Sequence, residues 1–202
     1  MSFTSSEDLL QRAVAGDAQA RAALFALYRD RLKSMVRLRM DRRLSGRIDA
    51  SDVVQEAYLD YDRRFGDFTA KPGQPFYLWL RQLAGQRLID LHRMHLGAQM
   101  RDAGREISIF RGMPEASSAS LAAQLIGRVT SASQAAAKAE IRLKVQQALN
   151  NLDEVDREVL TLRHFEQLIN EEVAEVLGLS KQAASNRYVR ALKRVKELLK
   201  EN

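Results

Sequence analysis

The stretch EEVAEVLGLSKQAASNRYVRALKR, residues 171–194, decides the fold prediction for the C-terminal half of this chain. Apolar side chains recur at spacings of three and four on both sides of Gly178, which predicts two short helices joined by a tight turn. Glycine suits that turn because it enters the left-handed region without the steric penalty of a Cβ atom. Asn170 is the predicted N-cap of the first helix and Ser180 that of the second. This pattern is typical of a helix-turn-helix.

The second helix of this motif separates an apolar face from a polar, basic one. Its apolar stripe contains Ala184, Tyr188, Ala191, Val195 and Leu198. The other faces carry cations that attract phosphates and amide or hydroxyl groups that can hydrogen-bond to base edges in a major groove. These residues are Lys181, Gln182, Ser185, Asn186, Arg187, Arg190, Lys193 and Arg194. The alternative is the solvated basic face of an ordinary amphipathic helix.

Charge is unevenly distributed along the chain. The formal net charge is +6 over 202 residues, which favours a polyanionic partner, although an anionic membrane surface would satisfy the same charge. Residues 29–47 contain eight Arg or Lys against two Asp, and residues 181–202 contain seven against two Glu. Residues 49–62 contain five carboxylates and no cation. We therefore expect two basic surfaces and one acidic surface.

The composition also limits the function classes. The chain has no cysteine, which excludes a disulfide framework and a thiolate metal site and is consistent with a reducing compartment. The first ten residues, MSFTSSEDLL, lack the charged and apolar regions of a signal peptide, and no apolar stretch is long enough to span a bilayer. We expect a cytoplasmic protein without membrane insertion and without a cofactor.

The apolar positions elsewhere also recur at three and four, with almost no alternation, and so predict an all-α chain. The N-terminal half is predicted to contain four helices and one loop. The helices cover Glu7 to Ala15, Asp17 as N-cap through Val36, Asp49 or Ser51 as N-cap through Tyr61, and Phe76 to about Arg93; the loop runs from Gly66 to Pro75 with Lys71, Pro72 and Gly73 at its centre.

The apolar pattern is lost between about Gly97 and Ser133. This segment contains glycines, a proline and the run SSAS, and its LAAQLI stretch predicts at most a brief helical turn. Residues 98–133 are therefore predicted to be a linker between two small domains, residues 1–97 and 134–202. The second domain is expected to contain a helix from about Gln134 through Leu149 and another opened by Asp153, followed by the helix-turn-helix.

Three further segments extend the pattern beyond the helix-turn-helix: DVVQEAYLD at 52–60, FYLWLRQLAGQRLIDLHR at 76–93 and LNNLDEVDREVLTLRHF at 149–165. In order and spacing they resemble bacterial RNA polymerase sigma factors of the sigma-70 superfamily, extracytoplasmic-function (ECF) type. The resemblance implies a region 2-like domain over 1–97 and a region 4-like domain over 134–202. It also implies a non-enzymatic transcription initiation factor. The implied partners are core RNA polymerase, promoter DNA, and an anti-sigma factor or other regulator.

The acidic helix and the aromatic-basic helix each suit one of these partners. Asp52, Gln55 and Glu56 share a helix face and, with Asp49, form an acidic patch suited to a basic protein groove. The resemblance implies that this helix docks on the clamp of the large polymerase subunit. Rings at the start of a basic helix suit single-stranded DNA, because unstacked bases can lie on them. The predicted minus-10 contacts are Phe68, Phe76, Tyr77, Trp79, Gln86, Arg87 and Arg93.

The resemblance assigns finer roles to some of these residues. Phe68, predicted in the loop, and Gln86 would capture a flipped minus-10 base, whereas Trp79 is equally suited to the core. Asp90 could be an intrahelical partner of Arg87 or Arg93. The minus-35 reading positions would be Ser185, Asn186, Val189 and Arg190, with Lys181, Gln182 and Arg187 beside them. Ala183, Ser185 and Gln86 depart from residues common in the family, so the promoter sequence cannot be transferred.

Two other functions remain open. A metal-dependent nuclease or phosphohydrolase could use Asp49, Asp52 and Glu56, with or without His92 and His95, because hard cations bind carboxylates. The histidines lie on a different predicted helix from the acids, which disfavours this alternative. A DNA-binding regulator with an N-terminal sensing or dimerisation domain would explain the helix-turn-helix, but it would leave the acidic helix and the aromatic-basic helix unexplained.

Overall fold

The computed structural model describes residues 5–44, 46–71, 73–96, 116–126 and 132–201, and these residues form helices and turns without a strand. The all-α prediction is therefore confirmed for them. Two compact units are present, Met1–Pro114 and Glu115–Asn202. The helices are α1 (Ser6–Val14), α2 (Ala18–Arg39), α3 (Ala50–Thr69), α4 (Phe76–Leu96), α5 (Ser118–Ile126), α6 (Ala132–Asn150), α7 (Glu154–Leu160), α8 (Asn170–Leu177) and α9 (Lys181–Glu201). A 3-10 turn at Arg42–Leu44 follows α2, and a π-helical turn at Thr161–Phe165 continues α7.

Side-chain caps fix the starts of α2 and α3. The Asp17 carboxylate accepts hydrogen bonds from the backbone N–H groups of Gln19 and Ala20 at 2.9 and 3.0 Å. The Asp49 carboxylate accepts from the Ser51 N–H at 2.9 Å, and the Asp52 carboxylate accepts from the Asp49 N–H at 3.0 Å. Each cap satisfies N–H groups that have no partner within the helix. Both predicted starts are confirmed, and Asp49 rather than Ser51 is the N-cap of α3.

Helices α2, α3 and α4 pack around the core of the N-terminal unit. The fully buried side chains there include Leu32, Met35, Tyr61, Leu80 and Leu88. The Tyr61 hydroxyl donates a hydrogen bond to the Arg21 carbonyl at 2.9 Å, which joins α3 to α2 through a buried polar group.

Helix α3 is longer than predicted, because it continues through the predicted loop start at Gly66 and ends at Thr69. Tyr61, Phe65 and Phe68 extend its buried stripe, and the Thr69 hydroxyl donates to the Gly66 carbonyl at 2.9 Å in the last turn. Packing of the two phenylalanines therefore outweighs the weak helix propensity of one glycine. The placement of Phe68 in a loop was wrong, since it lies on the last turn of α3.

Helix α5 lies within the segment that was predicted to be a linker. It spans nine residues, packs against α6 and buries Leu121 and Ala122 completely. The Ser117 hydroxyl accepts a hydrogen bond from the Ser120 N–H at 3.1 Å at its start. The prediction of at most a brief turn at LAAQLI was therefore wrong. Residues 98–115 and 127–131 of the predicted linker lie outside the described residues.

The helix-turn-helix consists of α8 and α9, as predicted. Gly178 ends α8 in the left-handed conformation, with φ 62° and ψ 34°. The Ser180 hydroxyl accepts from the Ala183 N–H at 3.1 Å and caps α9. Asn170 is not the N-cap, since it is the first residue of α8 and its side-chain amide donates to the Lys181 carbonyl at 2.8 Å. This hydrogen bond ties the start of one helix to the start of the other.

No helix among the described residues is long and apolar enough to cross a membrane.

Candidate nucleic-acid interface

Buried alanines set the orientation of α9. Ala184 and Ala191 are fully buried and Leu198 is 7% exposed, so this stripe of the helix faces the rest of the C-terminal unit. Tyr188 and Val195, on the same predicted stripe, are half-buried. Small residues at the contact allow close approach of the backbone, which fixes the opposite side of α9 toward solvent. Of the predicted reading residues, Lys181, Gln182, Asn186, Val189 and Arg190 are exposed, whereas Ser185 and Arg187 are half-buried.

One stripe of the exposed side combines amides with an apolar side chain. Gln182 donates a side-chain hydrogen bond to the Asn186 amide oxygen at 2.9 Å, and Val189 lies one turn further along with 61% of its surface exposed. Amides can read the paired donor and acceptor of adenine, and an apolar side chain can contact the methyl group of thymine. The stripe therefore presents the chemistry of direct base readout.

A buried carboxylate binds two of the three arginines of α9. Asp156, in the first turn of α7, is 5% exposed. Arg190 donates to it from Nε at 2.9 Å and from Nη2 at 2.8 Å, and Arg187 donates from Nη1 at 2.7 Å. Burial alone would raise the pKa of Asp156, but the hydrogen bonds from Arg190 and Arg187 outweigh it and hold that pKa below its usual value.

Asp156 could not be predicted from local sequence patterns, because it is separated by 31 and 34 residues from its two arginines. No local spacing relates an acid in one helix to cations that lie two helices further along the chain. Lys181 is also paired, with Glu171 of α8. All three cations among the predicted minus-35 contacts, Lys181, Arg187 and Arg190, are therefore held by carboxylates in this structure.

The aromatic residues predicted to stack on minus-10 bases are buried instead. Phe76, Tyr77 and Trp79 are 8%, 3% and 5% exposed, and Phe68 is 9% exposed. The Phe68 ring lies 5.1 Å from the Trp79 ring and 5.2 Å from the Phe76 ring, centroid to centroid. In the described structure these side chains form part of the core of the N-terminal unit rather than an exposed stacking surface, and their contact with minus-10 bases stays a prediction.

The polar residues of α4 differ among themselves. Gln86 and Arg93 are exposed. Arg87 is half-buried and bound by Asp60 of α3, with Nε to Oδ2 at 2.5 Å and Nη2 to Oδ1 at 2.9 Å. The hydrogen bonds from Arg87 lower the pKa of Asp60 despite partial burial. Asp90 accepts its side-chain hydrogen bond from Gln86 at 3.0 Å rather than from either predicted arginine.

The acidic patch lies on the solvent side of α3. Asp52, Gln55 and Glu56 are all exposed, whereas Val53 and Ala57 on the other side are buried. Because Asp52 also accepts from the Asp49 N–H, its carboxylate is fixed at the start of the helix. The structure thus places the three predicted residues on one accessible surface.

The described residues contain no group of three or more His, Cys, Asp or Glu that could hold a metal ion. His92 is 3% exposed, and its Nε2 accepts from the Asp41 backbone N–H at 3.2 Å. Burial is the main cause that lowers the pKa of His92; Arg43 lowers it further and Asp41 opposes the shift. The described structure therefore gives no support to a metal-dependent enzyme that uses His92.

A helical unit that ends in a helix-turn-helix, with amide, hydroxyl and guanidinium groups on the outer side of its second helix, has the fold and surface of a DNA-binding transcription protein. Residues 142–195 match the family described as Sigma-70, region 4. The chain is 33% identical over 195 residues to the ECF RNA polymerase sigma factor ShbA of Streptomyces griseus, covering 94% of this chain and 93% of that protein. It is 28% identical over 199 residues to the RNA polymerase sigma-H factor of Pseudomonas aeruginosa, covering 96% and 93%.

The similarity extends to three-dimensional structure. A solved structure of CnrH in complex with the cytosolic domain of CnrY has a TM-score of 0.53 with this chain at 24% identity, covers 96% of both chains and indicates a shared fold. The chain belongs to the ECF RNA polymerase sigma factors. Proteins of this family are transcription factors rather than enzymes, and the family membership supports promoter-specific transcription initiation.

Proposed function

We propose that this sigma factor binds core RNA polymerase and directs it to promoters with two separated elements. The N-terminal unit would melt the minus-10 element and the C-terminal unit would bind the minus-35 duplex. The observation that carries this proposal is the outer side of α9, where an amide pair, an exposed valine and a fixed arginine lie within the matched region.

The minus-35 contacts are assigned to α9 from its exposure. Gln182, Asn186 and Val189 would reach base edges, because they lie along one exposed stripe. Arg190 would contact a base or phosphate, and Ser185, half-buried beside them, would contribute a hydroxyl. Lys181 and Arg187, both ion-paired, would support these contacts near the backbone of the duplex.

The minus-10 contacts are assigned to the exposed polar side of α4. Gln86 is available for a base edge, and Arg93 for a phosphate. Arg87 would contact minus-10 DNA from the position in which Asp60 holds it. Flipping a base costs a few kcal/mol and requires a pocket that does not itself deform. The buried aromatic cluster would supply that rigidity as core packing, without stacking on DNA.

Polymerase binding is assigned to the acidic patch of α3, residues Asp52, Gln55 and Glu56. Their exposed carboxylates and amide suit a basic groove on a protein partner. The region 2-like domain would cover residues 1–97 and the region 4-like domain residues 134–202, with α5 packed on the latter. Two recognition domains on one chain make the second DNA contact effectively intramolecular, provided that the connection spans the gap set by the polymerase.

A protein regulator is a further proposed partner. The solved CnrH structure is, by its title, a complex with the cytosolic domain of CnrY. We extend this by similarity of fold to an anti-sigma factor or other regulator for the present chain. Such a partner would keep the sigma factor from core polymerase until a signal releases it.

The test is in vitro transcription with purified bacterial core polymerase on a library of genomic fragments. Adding the protein should produce discrete new start sites preceded by a shared pair of elements. Arg190→Ala should reduce these transcripts, whereas Glu175→Gln, which removes an exposed α8 charge that is not among the proposed contacts, should not. Sequence-specific duplex binding without core binding or new transcripts, with cognate core and a regulator-free preparation, would favour the stand-alone regulator instead.

A further inference from the structure

The buried carboxylate of Asp156 occupies one specific edge of the Arg190 guanidinium. It accepts from Nε and Nη2, with distances of 2.9 and 2.8 Å to its two oxygens. The Arg190 side chain nevertheless remains 60% exposed, against 7% for the Asp156 side chain. The carboxylate is therefore covered by protein, while more than half of the arginine side chain stays exposed.

Two of the three N–H donors that remain on Arg190 form a parallel pair. A guanidinium has five N–H donors in a rigid plane, and Asp156 takes two of them. One N–H of Nη2 and both N–H groups of Nη1 are left on the outer edge. Two parallel N–H groups match two neighbouring acceptors, such as O6 and N7 of guanine or two phosphate oxygens.

We propose that Asp156 is a positioning residue that fixes the outer edge of Arg190 as a preformed fork for a pair of acceptors on promoter DNA. This proposal rests on the proposed function of α9 in minus-35 binding. An arginine held in place before DNA arrives loses less side-chain freedom on binding and is aimed in one direction. Arg187, bound by the same carboxylate at 2.7 Å, would complete the fixed cluster.

The proposal predicts an effect that a purely structural role would not produce. Asp156→Asn removes a negative charge beside two cations, so attraction to phosphates of any sequence should stay the same or increase. The same change frees Arg190 to move, so discrimination at its base position should fall, by about tenfold for one bidentate contact. Loss of folding alone would lower specific and nonspecific binding together.

The experiment measures binding of holoenzyme, made with the full chain, to duplexes randomised over the upstream promoter element. Wild type is compared with Asp156→Asn, Asp156→Glu, Arg190→Ala, Arg190→Lys and the double variant Asp156→Asn with Arg190→Ala. Glu175→Gln is the charge-matched control. Arg190→Ala should relax one base position, Asp156→Asn should relax the same position, and Asp156→Glu should partly restore it. In the Arg190→Ala background, Asp156→Asn should add no further change at that position.

The outcomes also separate the two sources of acceptors. A single relaxed position identifies a base edge. Phosphate is identified by a different set of results. No base position is relaxed, Arg190→Ala lowers the salt dependence of binding, and the double variant binds no more weakly than Arg190→Ala. If Asp156→Asn does not fold, Arg190→Lys remains informative, because it keeps the charge and loses the fork.

Two results would overturn the inference. In the first, Asp156→Asn leaves both the base preference and the affinity for DNA unchanged, whereas Arg190→Ala alters them. The other is a loss of base discrimination on Asp156→Asn that is equally large in the wild-type chain and in the Arg190→Ala variant. If wild-type holoenzyme enriches no sequence at all, the proposed function itself fails, which is distinguishable because that result does not depend on any variant.

Discussion

Replacing Phe68 by alanine tests whether this ring is part of the protein core or a contact for DNA. The sequence resemblance assigns Phe68 to a flipped minus-10 base, whereas the structure buries it to 9% exposure between α3 and α4. Its ring meets the Phe76 ring edge-on, at 5.2 Å and 78°, and the Trp79 ring at 5.1 Å and 32°. A core residue stabilises the free protein, but a DNA contact does not.

The expected loss is large compared with the stability of a small domain. Truncating a buried phenylalanine to alanine costs about 3–5 kcal/mol, because apolar surface is exposed and a cavity remains. Aromatic pairs contribute about 0.5–1.5 kcal/mol each beyond their buried area. Phe68 lies in the last turn of α3 and keeps some exposure, so we expect the lower end, about 3 kcal/mol, out of about 5–15 kcal/mol for a typical domain.

The assay is urea unfolding of the free full-length protein followed by tryptophan fluorescence. Trp79 is the single tryptophan of the chain and lies in the N-terminal unit, so its emission reports that unit alone. The matched control is Leu59→Ala, on the same helix but 47% exposed, which should change the free energy of unfolding by about 0.5 kcal/mol or less.

The reasoning would be refuted if Phe68→Ala unfolded within about 0.5 kcal/mol of wild type, the range of a surface substitution. Phe68 would then be free to contact DNA, and a selective defect in promoter opening would restore the flipped-base assignment. A loss of stability together with normal opening at a permissive temperature would confirm the core role and remove the residue from melting.

Three further changes have defined outcomes. The pKa of His92 is lowered by burial, so the unfolded state binds protons more readily. The contribution of His92 to the free energy of unfolding should therefore be fully present above about pH 6.5. It should fall by up to about 1.4 kcal/mol per pH unit as the pH drops toward the pKa of His92 in the folded state. Trp79 fluorescence at several pH values would measure this, and an equal slope in His92→Leu would contradict it. Glu56→Lys should weaken binding to core polymerase by reversing an exposed charge, as measured by titration of labelled core; an equal effect of Glu175→Lys would deny any role specific to α3. Gly178→Ala should destabilise the C-terminal unit by about 1–2 kcal/mol, since φ is 62° and only backbone strain opposes the added Cβ; unchanged amide hydrogen exchange in α8 and α9 would argue against strain there.

Helix starts could be predicted from the sequence because capping is local chemistry. Asp17, Asp49 and Ser180 each accept hydrogen bonds from N–H groups two or three residues later, and Gly178 adopts the left-handed turn that only glycine enters easily. All of the atoms involved lie within one helical turn. Residue identity at neighbouring positions is therefore sufficient to predict them.

The errors share a different cause, since each depends on a partner that is distant in sequence. Phe68 continues α3 because Phe76 and Trp79 pack on it. Leu121 belongs to a helix that packs on α6, and Asn170 points to the Lys181 carbonyl. Periodicity indicates that a face is apolar, but it does not indicate which residues will pack against it. Tertiary packing therefore decides where a helix ends and where the following loop begins.

The same limit applies to the candidate site. Exposure of Asp52, Gln55 and Glu56 followed from their spacing, because the opposite stripe of α3 is apolar and had to face the core. The burial of the α4 rings did not follow, since an aromatic cluster at a helix start suits either a base or a core. Nor did the pairing of Arg190 with Asp156, whose two residues are 34 positions apart.

These pairings change how the positive charge of the chain should be interpreted. In both units a carboxylate on a neighbouring helix binds an arginine on the helix assigned to DNA: Asp60 with Arg87, and Asp156 with Arg190. By contrast, Lys193, Lys196 and Lys200 of α9 have no ion-pair partner within the part of the chain that the structure describes.

The three unpaired lysines and Arg190 therefore represent two physical classes of cation on α9. An unpaired lysine is a mobile point charge that follows the phosphate backbone and contributes to binding of any sequence. An arginine with one edge held by a carboxylate keeps its charge, but the negative partner offsets part of its attraction to phosphates and fixes the direction of its free N–H groups. A count of net charge alone would predict the same nonspecific attraction to DNA for both classes. Under the proposed function, the lysines would supply general affinity and the clamped arginine would supply selectivity, so a carboxylate beside α9 would be compatible with recognition of DNA.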